Sequence, residues 1–145
     1  MDDSKNGLLP GTINCIFEDV QGNLWVSSFQ GGLNLFHNKS RFHHYSHFNN
    51  IGSSLSKNPV SSILADHNNN LWIGYYTSGL DYFKNGQKTH FPHIHEPGHL
   101  GCGTLFSIFE DRTQNIWLGF HKGGLQKYNP DDHSFKTYLH DEKDP

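Results

Sequence analysis

The stretch Ile16-Phe17-Glu18-Asp19-Val20-Gln21-Gly22-Asn23-Leu24-Trp25-Val26-Ser27-Ser28-Phe29-Gln30-Gly31-Gly32-Leu33-Asn34-Leu35-Phe36 decides the fold, because the chain writes it again at 63–83 and at 108–128. Trp25, Trp72 and Trp117 stand 47 and then 45 residues apart. The same two steps carry Ile16 to Ile63 and Ile108, Asp19 to Asp66 and Asp111, and Asn23 to Asn70 and Asn115. Gly32, Gly79 and Gly124 keep the register, as do Leu33, Leu80 and Leu125, and Leu8, Leu55 and Leu100. A fixed internal period decides architecture before any local reading does.

Each copy reads as four short extended pieces. In the first they are Ile13–Asp19, Asn23–Val26, Gly32–Phe36 and Arg41–Tyr45, the last matched by Lys88–Phe91 and Ser134–Tyr138. Runs rich in Ile, Val, Phe, Trp and Tyr, parted by Gly, Asn and Asp, predict a four-stranded antiparallel meander. No segment holds an apolar period of 3.6, so no helix is expected. By strict alternation Leu105 and Phe109 point to one face and Phe106 and Ile108 to the other, which makes the strand apolar on both sides. Sheets covered on both faces and repeated in tandem stack radially around an axis. The expected fold is all-β, a partial β-propeller of three four-stranded antiparallel blades at about 8–54, 55–99 and 100–145 within a single segment, 1–145.

Composition narrows the function. The 145 residues carry 11 Lys and Arg against 14 Asp and Glu, a net charge of −3, so no nucleic-acid partner is expected. Apolar runs such as Ile116–Phe120 fall far short of the ~18 residues of a membrane span, and no membrane contact is expected. Met1-Asp2-Asp3-Ser4 does not begin a secretory signal, which leaves either a cytoplasmic chain or a piece of a longer exported one. Cys15 and Cys102 form no C-x-x-C pair. Asp19, Asp66 and Asp111 sit three residues before Gly22, Asn69 and Gln114, which suits carboxylates that accept backbone N–H groups in a hairpin turn. The tryptophans read as packing wedges between blades, and Gly31-Gly32 and Gly123-Gly124 as turn glycines. Of twelve histidines, seven cluster, at His43, His44 and His47 and at His90, His93, His95 and His99, with no Cys or carboxylate completing a ligand set. No metal site, cofactor or catalytic residue is expected, there being no nucleophile frame of the G-x-S-x-G kind. Asn38-Lys39-Ser40 fits a glycosylation sequon.

In an up-and-down meander the loop between the second and third strands shares one end with the inter-blade linkers. That end carries Phe29 and Gln30, Tyr75 and Tyr76, and Phe120 and His121, residues that differ from copy to copy on a fixed framework. Aromatic faces beside amide and imidazole groups suit sugars, so these six are the candidate ligand-binding residues.

The quoted stretch and its two echoes resemble the two-component regulator propeller repeat over essentially the whole chain. Departures are Ala65 where the other copies have Glu18 and Glu110, Ser78 where they have Gly31 and Gly123, and Gln114 where the first has Gly22. The resemblance implies an extracytoplasmic sensor region of a membrane-bound histidine kinase, as in hybrid kinases of carbohydrate-using gut bacteria, or one with a diguanylate cyclase output. The expectation is therefore a non-catalytic sensory propeller segment with an oligosaccharide as its ligand. The alternatives are a stand-alone protein-interaction propeller and, third, a glycan-active enzyme. Three blades cannot surround an axis, so self-association into a six-bladed ring of two chains is expected as well.

Overall fold

A computed structural model describes residues 7–8, 11–29, 31–37, 41–45, 55–56 and 59–140. Blade 1 comprises β1 (Ile13–Glu18), β2 (Leu24–Ser28), β3 (Gly32–His37) and β4 (Arg41–Tyr45). Blade 2 comprises β5 (Val60–Ala65), β6 (Leu71–Tyr75), β7 (Leu80–Lys84) and β8 (Gln87–Phe91). Blade 3 comprises β9 (Leu105–Glu110), β10 (Ile116–Phe120), β11 (Gly124–Tyr128) and β12 (Phe135–Tyr138). Each sheet is a sequential antiparallel meander, and no described residue is helical. The innermost strands β1, β5 and β9 touch in succession, so the blades fan out from one inner edge.

The turn between the first two strands of each blade is built around its aspartate. Asp66 Oδ1 accepts the backbone N–H groups of Asn68 and Asn70 at 3.0 and 2.8 Å, while Oδ2 accepts Asn70 Nδ2 and the Trp72 indole N–H, both at 3.0 Å. Asp19 does the same for Gln21, Asn23 and Trp25, and Asp111 for Thr113, Asn115 and Trp117. The third residue after each aspartate, Gly22, Asn69 or Gln114, takes positive φ (78°, 61° and 66°). The expected acceptor role is therefore met, and the same carboxylate also aims the tryptophan. Tied by its N–H, the ring lies on the sheet face turned toward the following blade.

Two cores result. Between blades 1 and 2, Leu33, Leu55, Val60, Ile63, Ile73 and Tyr75 are buried, with Trp25, Tyr45 and Phe83 packed on them. Between blades 2 and 3 the buried set includes Trp72, Leu80, Leu105, Leu118, Tyr128 and Phe135. Trp72 stacks on Tyr82 at 4.0 Å and meets Tyr128 edge-on at 5.0 Å.

One expectation of alternation is corrected. The ladder skips Asn14, Ser61 and Phe106, so each innermost strand carries a β-bulge at its second residue. A bulge resets the side-chain alternation behind it. Leu105, fully buried, and Ile108 therefore share the face packed on blade 2, whereas Phe109 is 62% exposed on the other. The bulge residue is also re-aimed across the blade boundary: Asn14 Nδ2 donates to Val60 O at 2.9 Å, and Ser61 Oγ donates to Leu105 O.

Glycine is required immediately before β7. Gly79 has φ of 100°, and a Cβ there would stand 2.0 Å from Phe91 O.

Replacing Asp66 with Ala leaves the buried Trp72 and Asn70 donors unpaired, and should cost on the order of 3 kcal/mol in chemical denaturation. A loss below about 1 kcal/mol would show that the clasp does not hold the turn. The clasp also predicts acid sensitivity. Bonds from Trp117 and Asn115 hold the Asp111 carboxyl well below the usual carboxylate range, and at Asp19 burial opposes ionisation but the bonds from Trp25 and Asn23 outweigh it. Their stabilisation is present above the unfolded value of 3.8 and is lost as pH falls through the lower folded values. The thermal midpoint should drop steeply below that value, and Asp111→Asn should flatten the drop. An unaltered acid limb in the variant would assign the sensitivity elsewhere.

Candidate functional site

The loops β2–β3, β6–β7 and β10–β11 are fastened to the start of their own blades. Phe29 N–H donates to Thr12 O at 2.9 Å, Tyr76 N–H to Pro59 O at 3.3 Å and His121 N–H to Thr104 O at 2.8 Å. This places one side chain per blade along the inner edge, at the end where the chain enters each first strand. Phe29 meets Tyr76 edge-to-face at 5.3 Å, Tyr76 meets Phe106 at 6.1 Å, and Phe106 meets His121 at 5.8 Å, with interplanar angles of 81–87°. The result is a row of four rings spanning all three blades, each edge set against its neighbour's face as ring quadrupoles prefer. Phe29 and Phe106 are 43% and 54% exposed, so the row presents apolar surface to solvent.

Of the six candidate residues, Phe29, Tyr76 and His121 come together here. Tyr75 and Phe120 do not. Each ends its strand, one step before the loop residue, and consecutive residues in extended chain point to opposite sides. Tyr75 is fully buried and its hydroxyl donates to Asp81 at 2.6 Å; Phe120 packs against the core between blades 2 and 3, 6.3 Å from His93. Gln30 lies outside the described residues, as do His47 and the Asn38-Lys39-Ser40 sequon. Phe106 was missed because it reads as a core position of β9. Its only sequence signal is a bulky apolar residue where the other copies have Asn14 and Ser61.

A repeated column of buried polar residues also escaped the sequence reading. Asn34, Asp81 and Gln126 follow the same steps of 47 and 45 and are buried in the third strand of each blade. Asp81 accepts Ser56 N–H at 2.9 Å and Ser56 Oγ–H at 2.7 Å, with His90 Nδ1 2.7 Å away. Gln126 accepts Gly101 N–H at 2.9 Å and donates to His99 O and Thr137 Oγ1. In blades 2 and 3 this residue ties the incoming linker to the sheet, and so fixes the loops beside the aromatic row. Asn34 bonds Val26 O and His44. Burial lowers the pKa of His44, and neighbouring His43 lowers it further. Several histidines thus take structural partners: His93 meets Gly101 O, His67 meets Glu110, and His133 meets the Tyr128 hydroxyl, whose pKa burial pushes up to about 12. Among the described residues no three His, Cys, Asp or Glu side chains converge as a metal site.

At the opposite end, clefts of about 440 and 700 Å³ open between blades 1 and 2 and between blades 2 and 3. Their polar rims include clasp residues already engaged within their own turns, such as Asp66 with Asn70, and Asn115 with Asp111.

The geometry agrees with what the chain is similar to. The family model described as two component regulator propeller matches residues 7–30 and 54–77, one match in blade 1 and one reaching through the first half of blade 2. An extracellular domain of a hybrid two component system from B. thetaiotaomicron superposes with a TM-score of 0.79 at 23% identity, over 95% of this chain and 19% of that one. A second such domain from B. thetaiotaomicron gives 0.73 at 25% identity, over 98% and 20%. PorZ, a surface component of the type-IX secretion system of Porphyromonas gingivalis, gives 0.64 at 16% identity, over 97% and 21%. The chain therefore spans about a fifth of the length of these structures. No curated protein sequence matches it. Two stretches of the chain thus match the two component regulator propeller repeat, and the chain folds as three successive four-stranded blades of the propeller fold.

Proposed function

We propose that the chain is the ligand-binding part of a sensory propeller in a two-component signalling protein, that it acts outside the cytoplasm and that it does so without catalysis. The family match and the extracellular hybrid-system domains of like fold support the sensory and extracellular reading. Among the described residues no helix is long and apolar enough to cross a membrane. The non-catalytic reading is supported by the fate of the repeated aspartates. Asp19, Asp66 and Asp111 spend both carboxylate oxygens on turn donors and have none to offer a reaction.

The observation that carries the proposal is the exposed row Phe29, Tyr76, Phe106 and His121. Ring faces and edges offered in series, with an imidazole at one end and a phenol within, suit a ligand that alternates C–H faces and hydroxyls over several units. An oligosaccharide is that ligand class, and the linear row favours a chain of sugars over a single one.

The test is isothermal calorimetry against a panel of plant and host oligosaccharides. The chain should bind at least one of them, and Tyr76→Ala with Phe106→Ala should weaken that binding tenfold or more, about 1.4 kcal/mol, while the far-UV spectrum stays unchanged. Unaltered affinity in the double variant would remove the row from the site. No binding across the panel would overturn the carbohydrate reading.

A further inference from the structure

The cleft between blades 2 and 3 at the Asp-turn end holds chemistry that its counterpart between blades 1 and 2 lacks. Its volume of about 700 Å³ is that of a small-molecule pocket, and it adjoins a second hollow of about 340 Å³ beside the outer strands. Tyr82, Lys84, Asn85 and Tyr128 line both, so they stand at the middle of one continuous groove. One repeat earlier, Tyr82 and Lys84 become Leu35 and His37, which line the smaller cleft of about 440 Å³, and Tyr128 becomes Phe83. Two phenols and an ammonium group thus stand where the first boundary has two hydrocarbon side chains and an imidazole. That imidazole is already spent on the side chain of Asn23.

The polar groups of the groove divide into those already engaged and those left over. Both carboxylates that line it are committed: Asp66 accepts four bonds within its turn, and Glu110 takes the backbone N–H and the ring of His67 across the blade boundary. The Tyr128 hydroxyl is engaged with His133. Lys84 is exposed and has no ion pair among the described residues, and the Tyr82 hydroxyl has no hydrogen-bond partner among them. Burial, and after it the charge of Asp66, raises the pKa of Tyr82, so the phenol keeps its proton and donates. Asn85 adds an amide at the lip, fixed because Asn85 and Gly86 take φ of 51° and 75°, as a two-residue hairpin turn between β7 and β8 requires. What remains free is one cation and neutral donors, set beside aromatic rings, with no carboxylate to oppose an anion.

We infer that this groove is a second binding site, for a small hydroxylated ring that carries a carboxylate, a uronic acid being the simplest. The carboxylate pairs with Lys84, the ring hydroxyls accept from Tyr82 and Asn85, and a C–H face lies on the rings of Tyr82 and Tyr128. A neutral sugar leaves the lysine unanswered, and an aromatic acid leaves the phenol and the amide unanswered. The site is at the end away from the row of Phe29, Tyr76, Phe106 and His121, and it does not rest on the ligand reading of that row.

Titration with galacturonate at constant ionic strength, followed on the indole N–H signals by nitrogen-resolved NMR, tests it. Trp72 lines the cleft, so its signal should shift saturably, with a Kd on the order of 1 mM for a ligand of this size, while Trp25 and Trp117 do not respond. Lys84→Met, at an exposed position, should weaken binding roughly tenfold, and Lys84→Arg should retain most of it. Tyr82→Leu, which gives blade 2 the residue that blade 1 carries at Leu35, should weaken it comparably with the far-UV spectrum unchanged. Glucose, which lacks the carboxylate, and benzoate, which lacks the hydroxyls, should each bind roughly tenfold more weakly than galacturonate. Tyr76→Ala with Phe106→Ala should leave this titration unaltered, which separates a failure here from a failure of the aromatic row. No saturable Trp72 shift at tens of millimolar ligand, an affinity that survives Lys84→Met, glucose or benzoate binding as well as galacturonate, or binding lost in the row variant would each overturn the inference.

Discussion

One carboxylate per blade governs the rest. At the end of each innermost strand it accepts two backbone N–H groups, an asparagine amide and an indole N–H, all at 2.8–3.0 Å. The first two bonds close the hairpin turn and set the β1–β2, β5–β6 and β9–β10 registers. The last holds the tryptophan flat against the face where the next blade must pack. Local turn chemistry and long-range packing are therefore fixed by the same ion. Hydrogen bonds to a charged acceptor are among the stronger available to a protein. Repeating this one device three times gives a fan in which every joint is made the same way.

Against that fixed frame, variation has two outlets. The Asn34, Asp81 and Gln126 column keeps its burial while changing its chemistry, so each blade fastens its linker with a different set of partners. The loops β2–β3, β6–β7 and β10–β11 keep their backbone tether while offering Phe29, Tyr76 or His121 toward the surface. The proposed ligand row sits on the second outlet, where a side chain changes what is presented without disturbing the sheet beneath. The bulge at the second residue of each innermost strand belongs to both outlets. Asn14 and Ser61 use it to join blades, and Phe106 uses it to complete the aromatic row.

The three-blade order, the twelve strands and the acceptor role of the aspartates were legible in the sequence because each rests on a period repeated in register. Alternation was less reliable. It placed Leu105 with Phe109, since a bulge leaves no mark in a single apolar strand. It also could not tell Tyr75 from Tyr76, two neighbours of like chemistry, one sealed beneath the linker and the other in the row. The buried polar column was readable in principle, being polar in all three copies at 34, 81 and 126. It was overlooked because polarity inside a strand looks like solvent exposure until the linker is seen to cover it. The link between His67 and Glu110 needed the blade-to-blade geometry before its columns meant anything.

The central claim is that each aspartate holds its tryptophan in place for the next blade. Solvent exchange of the indole N–H protons, followed by nitrogen-resolved NMR, tests it most directly. Three slowly exchanging indole signals are predicted, with Trp72 strongly protected beneath blade 3, and Asp66→Asn should accelerate exchange at Trp72 far more than at Trp25 or Trp117. A Trp72 indole that exchanges as fast as free tryptophan, or one that Asp66→Asn leaves unchanged, would contradict the account.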